Sequence, residues 1–86
     1  MEWWVEYRTS DTPLAAYLIT QGHLPSAIDY SRPPRYEILF ANSADSIREL
    51  ASEYNAGLTS VEPIAFNRIL RKLNRILRNQ IQWEDD

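Results

Sequence analysis

The chain is predicted to form an α+β fold. Three antiparallel strands in the order 1-3-2 arise from a β-α-β-β-α-α topology, with a long amphipathic helix at the C-terminal end. Three observations carry this. Stretches rich in β-formers flank a turn at Ser31, Arg32, Pro33, Pro34 and Arg35. Three segments repeat apolar residues at helical spacing behind capping residues. The last of these, within residues 63–83, separates apolar from basic side chains around a helical wheel. With 86 residues, 44% hydrophobic and 12% aromatic, the composition suits one small core rather than a disordered chain.

Residues 2–8 alternate, with Trp3, Val5 and Tyr7 on one face and Trp4, Glu6 and Arg8 on the other, which predicts the first strand. Thr9, Ser10, Asp11 and Thr12 then offer oxygens to cap free amides. Pro13 in the first turn loses no needed donor. Leu14, Tyr17, Leu18 and Gln21 recur at helical spacing until Gly22, which suits the left-handed residue after a helix. Residues 24–30 read as a second strand with Leu24, Ser26, Ile28 and Tyr30 in phase. Pro25 cannot donate to a ladder, which places this strand at an edge. Residues 36–41 are continuously apolar after Glu37 and belong in the middle. The order 1-3-2 makes both pairings antiparallel and keeps Pro25 out of a central strand.

Asn42 and Ser43 are expected to cap a second helix with Ile47, Leu50, Ala51 and Tyr54 on its stripe. Gly57 ends it, with Leu58 placed for the apolar contact of a Schellman stop. Thr59 and Ser60 are expected to cap the third helix, with Glu62 and Pro63 in its first turn. At about 100° per residue, Phe66, Ile69, Leu70, Leu73, Ile76, Leu77 and Ile81 form one face, and Arg68, Arg71, Lys72, Arg75 and Arg78 the opposite one. Residues 1–83 are read as a single domain and 84–86 as an acidic tail.

Catalytic chemistry finds little support. The chain has no cysteine and one histidine, His23, just after a helix-ending glycine where the helix dipole suits a cation. No partner constellation surrounds it, and no metal-ligand spacing or glycine-rich phosphate loop occurs. A non-enzymatic protein without cofactor or metal is the expectation. The absence of cysteine makes a reducing, cytoplasmic setting the default, and no apolar run is long enough for a membrane span.

Binding is what remains. The net charge of −3 conceals a strong asymmetry: residues 63–83 hold five cations and no acid, leaving −8 on the rest. Eight of the nine bases are arginine, the residue suited to bidentate phosphate or carboxylate contact. Like charges at 68/72, 71/75 and 75/78 weaken an isolated helix, so the pattern points to an anionic partner. That partner is nucleic acid, an acidic protein surface or the acidic remainder of the same fold; an ordinary solvated face is the bland alternative. Arg32 and Arg35 flank the stiff Pro33–Pro34 turn between Tyr30 and Tyr36, a hairpin tip suited to entering a groove or stacking on bases. Trp4 shares a sheet face with Leu39 and Ala41 and marks either a packed layer or a homodimer contact.

The residues from Tyr7 to Asp11, then Ala15, Ala16, Tyr17 and Leu18, a hairpin, and a helix ending Glu53 and Tyr54 resemble a family of small uncharacterised domains of bacteria, archaea and their viruses. The resemblance spans about residues 5–80. It implies a stand-alone unit, often of mobile elements, where DNA-binding regulators and inhibitors of host machinery are both common. It carries no activity, so no residue role transfers. The chain is expected to be a nucleic-acid-binding module or, alternatively, a protein-interaction or inhibitor module.

Overall fold

The computed structural model describes residues 6–41 and 44–84. Within them the order is β1 (Glu6–Thr9), α1 (Thr12–Thr20), β2 (Ala27–Asp29), β3 (Glu37–Ala41), α2 (Ala44–Asn55) and α3 (Pro63–Asn79). The sheet runs β1-β3-β2 with both pairings antiparallel, so the expected topology is the observed one. Trp4 and the Asn42–Ser43 cap lie outside the described residues.

Register assigns the two sheet faces. Tyr7 opposes Phe40, Thr9 opposes Ile38 and Ile28 also opposes Ile38. These side chains share the inner face, and Ile28, Ile38 and Phe40 are fully or nearly fully buried there. Glu6 opposes Ala41, Arg8 opposes Leu39 and Asp29 opposes Glu37, so the outer face is charged around Leu39. A slip of one residue would exchange these sets, so burial of the inner face sets the pairing.

The second strand is shorter than the alternation over 24–30 suggests. Pro25 breaks the ladder and Leu24 is 51% exposed, although the Ser26 N–H still reaches the Leu39 carbonyl at 2.7 Å. The free edge of β2 is closed by a side chain. The Gln82 amide accepts from the Ile28 N–H at 2.7 Å and donates to the Ile28 carbonyl at 2.9 Å. A primary amide so placed substitutes for a neighbouring strand and hides both backbone groups.

Helix α1 departs from a one-sided stripe. Leu14, Ala15, Ala16, Tyr17, Leu18 and Ile19 are all buried, because the helix is enclosed by the sheet, α2 and α3 rather than lying on a surface. Alanines at 15 and 16 let these neighbours approach closely. Asp11 caps it by accepting from the Leu14 N–H at 3.2 Å. Helix α2 adds Ile47 and Ala51 to the core, and Tyr54 lies 5.3 Å from Tyr17 between ring centroids.

All three helices end in the same way. His23 N–H donates to Leu18, Leu58 N–H to Glu53 and Ile81 N–H to Ile76, each the long-range bond of a Schellman motif. The left-handed residue is Gly22 in the first, Gly57 in the second and Gln80 (φ 55°) in the third. The apolar contact expected of Leu58 is not made, since that side chain is 77% exposed. Ile81 does pack on the core. His23 therefore serves the α1 terminus through its backbone.

Candidate nucleic-acid interface

Glu62, not Thr59 or Ser60, caps α3. Its carboxylate accepts from the Ile64 and Ala65 N–H groups at 3.1 and 2.6 Å, and Pro63 follows in the first turn. A carboxylate satisfies two free donors and meets the positive end of the helix dipole, which displaces the hydroxyl caps expected two and three residues earlier. From there α3 lays Leu73 and Ile76 fully into the core, with Phe66, Ile69, Leu77 and Ile81 half-buried around them. It packs chiefly on α1, and this seam determines which side faces water.

The outward side is more specific than the five-cation face read from the wheel. Ile64, Asn67, Arg68, Arg71, Asn74, Arg75 and Arg78 are all exposed and follow one another at i, i+3, i+4 and i+7 spacing. Arg68, Arg71, Asn74, Arg75 and Arg78, with Lys72, line a shallow groove of about 620 Å³. Ile64, Asn67, Arg68 and Arg71 line its continuation, about 300 Å³. Lys72 stands apart: it is half-buried, and its Nζ lies 4.2 Å from the centroid of the Trp83 ring, a cation–π placement. Among the described residues, no carboxylate forms an ion pair with Arg68, Arg71, Arg75 or Arg78.

The acids are held elsewhere. On the outer sheet face Arg8 meets Asp29 at 2.7 Å, Glu37 at 3.1 Å and Glu6 at 3.2 Å. Its guanidinium is held above its ordinary value by the hydrogen bond to Glu37 and by the nearby carboxylates, against partial desolvation. Asp29 is held below the usual carboxylate range by the Ser31 hydroxyl and backbone N–H, then by Arg8. One cation among three acids leaves this surface negative, with the core between it and the arginines of α3. Among the described residues no group of three acids or histidines is arranged to hold a metal ion.

The hairpin tip docks on the far end of α3. The Tyr30 hydroxyl reaches the carbonyls of Ile76, at 3.1 Å, and of Ile81. Tyr36 meets the Tyr30 ring edge-on at 4.9 Å and accepts from Gln80 Nε2 at 2.9 Å. Both tyrosines that bracket the tip are thus engaged in holding the fold together. Arg32 and Arg35 are exposed. Arg35 lines a cleft of about 520 Å³ with Ser10, Thr12, Pro34, Tyr36 and Leu77, which brings it to the last turns of α3.

Asn67, Asn74 and Ile64 were not singled out in the sequence. The signal was there: asparagine is a weak helix former, and two of them seven residues apart in an exposed stripe serve the helix poorly. No family model, curated protein or solved structure matches the chain. No described helix is long and apolar enough to cross a membrane.

Proposed function

We propose that this protein is a nucleic-acid-binding module that presents the outer face of α3, flanked by Arg35 and Arg32 of the hairpin, to a phosphate backbone. The observation supporting it is that four exposed arginines share one stripe with no carboxylate paired to them among the described residues. Ion pairs instead gather around Arg8 on the outer sheet face. Unpaired like charges on adjacent turns repel, and an anionic polymer relieves that repulsion while releasing its own counterions. From Arg68 to Arg78 the helix rises about 15 Å, enough to follow several successive phosphates of one strand.

Fluorescence anisotropy with labelled duplex and single-stranded oligonucleotides at low salt tests this. Binding is expected, and its loss in the double charge reversal Arg71→Glu and Arg75→Glu. Failure of the unaltered protein to bind any nucleic acid at low salt overturns the proposal. A second reading has its own support. Leu58 and Ile64 are 77% and 75% exposed near the N-terminal end of the stripe, and apolar side chains beside arginine suit a protein partner. A partner retained from lysate after nuclease treatment favours that reading.

A further inference from the structure

If α3 is a nucleic-acid surface, the residues between its arginines become informative, and the following rests on that reading. Arginine is long and reaches a phosphate whether the helix lies on a duplex or in it. Asparagine is short and presents an NH₂ donor group beside a carbonyl acceptor in a fixed plane. Asn67 and Asn74 stand in the arginine stripe seven residues apart, exposed, each lining one half of the groove. Seven residues of α-helix rise about 10.5 Å, close to the rise of three base pairs at about 3.4 Å each. Ile64, 75% exposed, lines the same groove as Asn67.

We infer that α3 enters the major groove of B-form DNA, where Asn67 and Asn74 read adenine edges about three base pairs apart and Ile64 packs on a thymine methyl. Arg68, Arg71, Arg75 and Arg78 hold the flanking phosphates. The amide pairs with adenine N6 and N7, and an apolar side chain recognises the thymine methyl. Other nucleic acids fit less well. Single-strand binding relies on open aromatic platforms. The exposed stripe has none, while Trp83 lies under Lys72 and Tyr30 packs on Tyr36. The deep, narrow major groove of A-form RNA does not admit a helix.

Selection from a random duplex pool with the full chain tests the inference. Enrichment of A·T pairs at two positions about three base pairs apart is expected. Asn67→Ala and Asn74→Ala should each flatten one of them, with a loss of roughly 5- to 100-fold in discrimination there. The salt dependence should stay unchanged, because neither side chain is charged. Both residues are exposed, and a matching circular dichroism spectrum shows that the variants fold. A pool recovered without base preference, at undiminished affinity, overturns the base reading and leaves the proposed function standing. Preference for single strands or double-stranded RNA also overturns it. No binding at low salt removes both.

Discussion

Removing Arg71 and Arg75 together offers a quantitative test of how many cations the α3 face presents. For duplex DNA, affinity falls with salt with a logarithmic slope of about −0.9 per phosphate neutralised. The structure separates four exposed arginines from Lys72, whose ammonium lies over Trp83. If each of these four engages one phosphate, they contribute about −3.6 to the slope beyond the share of Arg32 and Arg35, and raising salt from about 50 to 200 mM weakens their part of the binding roughly 150-fold. The double variant Arg71→Ala and Arg75→Ala halves that contribution to about −1.8, so their part of the loss falls to about 12-fold. Lys72→Ala should leave the slope unchanged, whereas five equivalent cations would contribute about −4.5 and lose about 0.9 with Lys72. Anisotropy titrations of one labelled duplex at four or more salt concentrations read these slopes directly. Equal reductions for Lys72→Ala and for single arginine variants would refute the distinction drawn from the structure. A slope unchanged in the double variant would show that binding lies elsewhere on the molecule.

Four further outcomes are expected. Tyr30→Phe removes the hydroxyl that closes the end of α3 on Ile76 and Ile81 and should cost about 1–2 kcal/mol in urea unfolding, with an unchanged m-value. Burial, then Tyr36, raises the Tyr30 pKa. Its contribution is therefore complete below the ordinary tyrosine value of about 10 and lost at higher pH, and melts of Tyr30→Phe should lack that alkaline loss. Asp29 has the opposite sign: its lowered folded pKa supplies stability present above the ordinary carboxylate value of about 4 and lost as pH falls further. Acid titrations of Asp29→Asn should show a shallower decline. Gly57→Ala should cost about 1 kcal/mol by thermal unfolding, because φ is +73° while an added Cβ meets nothing within 4 Å. A loss well above that would contradict a purely conformational cost.

Periodicity and punctuation carry local information, and here they sufficed for most elements. Pro13 after Asp11 marked the start of α1, Gly22 and Gly57 marked two helix ends, and Pro25 placed β2 at an edge, all as observed. The strand order followed from the apolar third strand and the single crossover. The apolar and basic halves of α3 were legible too, because a 17-residue helix repeats its pattern over several turns. What failed was local choice among equivalent groups. Thr59, Ser60 and Glu62 can all cap a helix, and only the backbone path selected Glu62. Gln80 in the left-handed region has no signature comparable to glycine.

Composition by itself determined that this chain lacks thiols, has a single imidazole and concentrates its excess positive charge in one C-terminal segment. Those properties belong to residue identity and spacing along one element, so no folding step changes them. Tertiary structure decided the partners. Arg8, Glu6, Asp29 and Glu37 come from three strands and meet only through the register of the sheet. Gln82 reaches Ile28 across 54 residues, and Lys72, while lining the arginine groove, sets its ammonium over Trp83. Electrostatic contacts depend on distances of a few ångströms, and such distances between separate elements are set by packing. Whether the charge of α3 is neutralised within the chain was therefore a question for the fold, which turned the apolar seam to α1 and left four arginines outward.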